Sequence, residues 1–190
     1  MKKHLMPVII FATSLMMACG DNDSAESKRM IFDITPIEFK IFITDSQGHS
    51  LLDSTYQSNL IKDITVSYED ETYPVMTERE YYEKMQGKSL TRVYQARFKG
   101  LIMFSSGGYD YFLSFGEFSG EENVDKREIV LNLPNQQSIR LAYSNFFRLK
   151  SNGEPDKKTQ FYFNDQELDG LDGICGRYYL RCSENGIVIK

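Results

Sequence analysis

The chain of 190 residues has no tryptophan, two histidines, three cysteines and five prolines. Each scarcity removes a class of chemistry. His4 belongs to the N-terminal leader, which leaves His49 as the one imidazole in the rest of the chain. Zinc sites built on two or three histidines are therefore excluded within one chain. Any Ser-His-Asp or Cys-His arrangement has to run through His49. That residue lies in the polar string T-D-S-Q-G-H-S-L-L-D and reads as an exposed turn histidine. No C-x-x-C redox motif occurs. No apolar run reaches the ~20 residues a spanning helix needs. The absence of tryptophan weakens any site that would stack sugars on large rings.

The most informative residue present is Cys19. Met1-Lys2-Lys3-His4 is a basic start, Leu5 to Met17 is a short apolar run, and Ala18 precedes the cysteine in L-M-M-A-C-G-D-N-D. The run is too short to stay in a bilayer and has the layout of a cleaved signal. The string resembles a bacterial lipobox, with Met16 and Met17 in place of the commoner residues. That resemblance implies cleavage after residue 18 and a lipid on Cys19. Several acyl chains on one cysteine anchor a protein stably, where a single chain does so only marginally. Residues 19–31 begin G-D-N-D-S-A-E-S-K-R after the cysteine and cannot bury apolar area, so they read as a flexible tether. Ten such residues reach about 18 Å. The acidic start of the tether resembles the surface-export signal of Bacteroidota lipoproteins. The expected address is the cell envelope, as an outer-membrane lipoprotein, with the periplasmic and the external face both open.

Loss of Lys2 and Lys3 with the leader takes the basic count from 22 to 20 against 27 acids, and the net charge from −5 to about −7. An acidic domain is a poor partner for nucleic acid or for anionic lipid. Residues 32–190 suffice for one domain with a proper core.

Alternation dominates that domain. Ile37, Phe39, Ile41 and Ile43 point one way and Glu38, Lys40, Phe42 and Thr44 the other, which is a half-buried strand. Asp45 to Gly48 closes it with turn chemistry. Ile64 to Tyr68 and Thr72 to Val75 form the next pair, and Pro74 marks the second of them as an edge. Thr77-Glu78-Arg79-Glu80 reads as a capping box opening one short helix with Tyr81, Tyr82 and Met85 on its apolar side. Runs at 92–104 and 109–118 flank a glycine turn as a hairpin, with bulges at Gly100 and Gly116. Glu128 to Leu133, Ser138 to Tyr143, Phe146 to Lys150, Thr159 to Phe163, Tyr178 to Cys182 and Gly186 to Ile189 complete nine or ten strands. The expected fold is all-β, a β-sandwich with one short helix, and the alternative is a closed β-barrel.

The stretch I-T-P-I-E-F-K-I-F-I-T-D-S-Q-G-H-S-L-L-D, followed by I-T-V-S-Y-E-D-E-T-Y-P-V, resembles small uncharacterised lipoproteins of gut Bacteroidota. The resemblance covers the signal and about the first third of the domain. It implies one all-β domain of immunoglobulin-like or transthyretin-like type behind a signal cysteine, and it carries no catalytic residue with it.

Three constellations remain. Cys175 and Cys182 leave an even number of thiols in a compartment that permits disulfides. Seven residues apart on one straight strand they would stand on opposite faces, ~23 Å apart, so a bond needs a turn, with Gly176 the candidate. The alternative is two buried free thiols. Asp165, Glu167 and Asp169 alternate ahead of Gly170, imitating the first half of a calcium-binding loop, but the twelfth position is Gly176 where a bidentate glutamate belongs. A solvated acidic loop is the competing reading. Tyr109, Tyr111 and Phe112 beside the glycine turn form a candidate aromatic binding patch, with core packing as its alternative. No catalytic residue and no cofactor follow from these patterns. The function expected is a non-catalytic binding or accessory module for a protein or glycan ligand. A carboxylate-dependent hydrolase and a structural component assembling by strand addition at Thr72–Val75 are the alternatives.

Overall fold

The computed structural model describes residues 34–85, 100–106, 110–168, 175–183 and 186–189. Cys19, the leader, the tether, Tyr109 and Asp169 lie outside them. The described chain is all-β with one α-helix. In order it runs β1 (Ile37–Thr44), β2 (Thr65–Tyr68), β3 (Glu71–Thr77), α1 (Glu78–Met85), β4 (Leu101–Ser106) and β5 (Asp110–Phe118). It continues with β6 (Val124–Leu133), β7 (Gln137–Leu149), β8 (Pro155–Phe163), β9 (Gln166–Glu167), β10 (Cys175–Ser183) and β11 (Gly186–Ile189). The strands make one curled open sheet, a half-barrel, in the order β11-β10-β1-β5-β4-β3-β2-β6-β7-β8-β9.

The curl is what creates a core. Ile37, Phe39, Ile41 and Ile43, the apolar side of β1, are all buried. Phe39 meets Phe161 of β8 edge-on at 6.1 Å and Tyr143 of β7 at 5.9 Å, so strands far apart in the sheet order face each other across the interior. Tyr178 of β10 closes the same cluster, 5.9 Å from Phe39. Its hydroxyl donates to the carbonyl oxygens of Ala142 and Tyr162. Each large side chain buried in this way contributes about 1.5–3 kcal/mol relative to exposure.

Local signals in the sequence explain several elements. Asp45 Oδ1 accepts the backbone N–H groups of Gln47 and His49 at 2.8 and 2.9 Å, and Gly48 takes φ +91°, which ends β1. Thr77 and Glu80 form the capping box reciprocally: Glu80 Oε2 accepts from Thr77 N at 2.7 Å, and Glu80 N donates to Thr77 Oγ1 at 3.3 Å. The bulge expected at Gly116 is present. Ile37 pairs with Phe118 and Glu38 with Gly116, which leaves Glu117 as the extra residue, with φ +69°.

Other elements depart from the sequence reading. β3 is not an edge. Its first half pairs with β2, Thr65 opposite Pro74, and its second half pairs with β4, Val75 opposite Leu101. Pro74 stands where the strand changes partner, so its missing N–H breaks no ladder there. Thr72 to Pro74 thus meet β2 and Val75 meets β4, each in one ladder. β7 is a single strand of 13 residues, so the run from Phe146 continues the strand that holds Ser138 to Tyr143. Asn145, between the two runs, is buried and satisfied: its Nδ2 donates to the carbonyls of Gly120 and Glu122, and its Oδ1 accepts from Thr159 Oγ1 at 2.8 Å.

Candidate functional site

The outer face of the sheet carries a row of aromatic rings that the core does not need. Register places Phe104 of β4 opposite Phe112 of β5, and Phe42 of β1 opposite Tyr179 of β10. Ring centroids lie 5.6 Å apart for Phe104 and Phe112, 5.4 Å for Phe112 and Phe42, and 4.7 Å for Phe42 and Tyr179. The interplanar angles are 27°, 32° and 13°. Four adjacent strands thus contribute one ring each to a near-parallel stack. Such pairs contribute about 0.5–1.5 kcal/mol each beyond their burial. Because each inner ring has its faces covered by neighbours, the row offers little flat surface for a sugar. Tyr179 ends it and is 44% exposed.

A cleft opens along the row. β1 and β5 pair only as far as Ile41 opposite Leu113. Beyond that point the returning segment takes the place beside β1: Leu51 N donates to Ile43 O at 2.9 Å, and Thr44 bridges Ser50. The resulting hollow has a volume of about 470 Å³ and is lined by Phe42, Tyr111, Phe112 and Tyr179, by the small polar residues Thr44, Gly48 and Ser50, and by Lys40 and Arg177. Lys40 Nζ sits 5.8 Å from the centre of the Phe112 ring. A second hollow of about 240 Å³ lies on the other side of Phe112, between β4, β5 and α1, where the Tyr81 hydroxyl donates to Glu117.

The turn at the rim of the cleft is stiffened by Asp45. Besides its two backbone donors, the carboxylate accepts from the Tyr56 hydroxyl at 2.7 Å and lies 3.1 Å from His49 Nδ1. Partial burial pushes its pKa up, but these four hydrogen bonds outweigh that and hold it well below the usual carboxylate range. The His49 ring is exposed and packs 5.3 Å from Tyr56, so this histidine is an oriented turn residue.

Of the sequence-selected residues, Tyr111 and Phe112 fall together in the cleft. Tyr109 and Asp169 lie outside the described residues. The calcium-loop reading rests partly on Asp169, outside the described residues, and its first residues form a turn. Asn164 and Asp165 both take positive φ, 45° and 69°, and make the tight hairpin turn between β8 and β9. Asp165 is occupied by cations: Lys126 Nζ lies 2.5 Å from Oδ1 and Arg140 pairs with Oδ2, and together they lower its pKa. Glu167 belongs to β9, opposite Tyr162. No group of three or more metal-ligating side chains forms among the described residues. The disulfide is also corrected. Cys175 and Cys182 occupy one continuous strand with no turn at Gly176, beyond the roughly 7 Å Cα separation a disulfide tolerates, and Cys182 is a free thiol.

No local signal marks Tyr179, Phe104, Lys40 or Arg177 as a group, since register alone brings them together. One clue was legible: Phe42 is an aromatic residue on the polar side of an alternating strand. The chain matches no protein-family model, no curated protein and no solved structure.

Proposed function

We propose that this is a lipid-anchored protein of the cell envelope whose β domain is a non-catalytic binding module. The observation that carries the binding half is the aromatic row along the cleft, four rings on the solvent side of four adjacent strands. Apolar rings on that side have no core to build and suit a ligand. Among the described residues the cleft lining includes no carboxylate, which favours binding over carboxylate-dependent hydrolysis. The address rests on the Cys19 lipobox, the polar tether and the resemblance to small Bacteroidota lipoproteins. For the fold, our reading is a sandwich of immunoglobulin-like or transthyretin-like type joined at one corner. Its support is the change of partner within β3 at Pro74.

Two measurements test the proposal. Mass spectrometry of the native product is expected to find a chain beginning at an acylated Cys19; an unmodified thiol there, or a retained leader, overturns the address. The uncharged dye N-phenyl-1-naphthylamine is expected to bind the native protein saturably, with binding lost in the Phe42→Ala, Phe112→Ala double variant. Equal binding by a folded double variant overturns the cleft as the site.

A further inference from the structure

A hollow of about 490 Å³ opens on the outer face of β6 to β9, strands that carry none of the aromatic row. An irregularity in β6 shapes it. Val124 pairs with Asn145 and Arg127 with Tyr143, so Asp125 and Lys126 stand opposite Ser144 alone. Such a bulge bends its strand and re-aims side chains. Lys126 pairs with Asp165, while Asp125 and Ser144 both line the hollow. Register supplies the other wall. Ser144 pairs with Gln160, Phe146 with Lys158 and Tyr162 with Glu167, and directly opposed residues share a face. All six line the hollow. The fold holds several of these groups in place. Asn123, also in the lining, accepts from Phe147 N at 2.6 Å and donates to Phe147 O at 3.1 Å. Gln160 Nε2 donates to Leu168 O at 2.9 Å, and the Ser144 and Tyr162 hydroxyls lie 3.3 Å apart. A hydroxyl or an amide has several donor and acceptor positions, so each keeps capacity for a further bond. Phe146 sets a ring that is 47% exposed among these polar groups.

We infer that this hollow binds a neutral carbohydrate. Every sugar hydroxyl both donates and accepts, and a sugar ring has an apolar C–H face. Asp125 and Glu167 are strong acceptors for hydroxyl protons, Lys158 is a donor, and the amides and hydroxyls do both. Phe146 gives the C–H face an apolar contact. A wholly apolar ligand would strip water from these groups without replacing its hydrogen bonds. A ligand of one charge would meet carboxylates and an ammonium together. The volume falls in the range of small-molecule sites. Among the described residues the hollow shares none with the aromatic cleft, so either site can fail alone.

The test screens the purified native protein on an array of neutral and acidic glycans and titrates each bound glycan by calorimetry. At least one neutral glycan is expected to bind. Asp125→Asn and Glu167→Gln are each expected to weaken it about tenfold, and Phe146→Ala to weaken it as well. All three side chains are exposed, so the variants are expected to fold, which circular dichroism checks. Binding of no glycan, or of acidic glycans only, overturns the assignment. A glycan held equally well by the three folded variants overturns it too. A glycan lost in the Phe42→Ala, Phe112→Ala double variant but kept by these three belongs to the aromatic cleft, which then stands while the second site falls.

Discussion

Asp45 and Tyr56, eleven residues apart, are joined by a hydrogen bond of 2.7 Å from the tyrosine hydroxyl to Asp45 Oδ2. The bond ties the turn after β1 to the following loop and sets the rim of the cleft. Because the folded carboxylate titrates below its ordinary range, it stabilises the fold above the unfolded pKa near 3.9, and that contribution is lost as pH falls through the folded value. Asp45→Asn keeps the shape but not the charge. Thermal unfolding followed from pH 7 down to pH 2 is expected to show a smaller acid-side decline in the variant than in the wild type. Parallel curves would mean that the hydrogen bonds to the carboxylate contribute nothing that depends on its charge.

Gly116 is placed to fail on substitution. Its φ is +136°, a region that side chains rarely adopt, and a Cβ there would lie 2.9 Å from the Ile37 carbonyl oxygen, which is backbone and cannot swing away. Gly116→Ala is expected to lose about 1–3 kcal/mol of stability in urea denaturation. The neighbouring Glu117, although also at positive φ, is partly exposed, and Glu117→Gly should be neutral or slightly stabilising by relief of its backbone strain.

The buried tyrosines resist ionisation. Burial pushes Tyr143 up to about 12, although the nearby Arg127 opposes the shift. Burial and a hydrogen bond to Glu69 do the same for Tyr68. A raised folded pKa stabilises the protein fully below the unfolded value near 10 and loses that contribution as pH climbs toward 12. Ultraviolet titration is expected to show the phenolates of Tyr68 and Tyr143 forming only well above pH 10, together with loss of the near-ultraviolet circular dichroism. Smooth titration of every tyrosine near pH 10 in a still-folded protein would contradict this.

Features governed by near neighbours were legible in the sequence. The alternation of Ile37 to Ile43, the Asp45 turn, the Thr77–Glu80 cap and the Gly116 bulge each depend on residues within a few positions of one another. Features governed by register were not. Nothing local says that Phe42 will lie against Tyr179, 137 positions away, or that Lys40 will meet Arg177, because that pairing joins the first strand to the tenth. Pro74 misled for a related reason: an imino acid ends one ladder on one side of a strand, and the sequence does not say whether another ladder begins one residue later on the other. Asn164-Asp165 read two ways because the same acidic, turn-forming residues serve a calcium loop and a tight hairpin, and the pairing of Phe163 with Gln166 is not written locally.

The geometry of β10 makes a chemical prediction about Cys182. Its position is seven residues from Cys175 on a continuous strand, which holds the two backbone positions farther apart than a disulfide spans. The thiol is half-buried, and burial raises its pKa, which reduces the thiolate available to an electrophile. Alkylation by iodoacetamide at pH 7.5 without reductant is expected to be slow at Cys182 in the folded protein and rapid in 8 M urea, with peptide mass spectrometry finding the residue fully alkylated in the denatured sample. A Cys175–Cys182 cross-linked peptide from the native protein would overturn the continuous strand, because forming that bond requires a turn where Gly176 to Arg181 now pair residue by residue with Phe39 to Thr44.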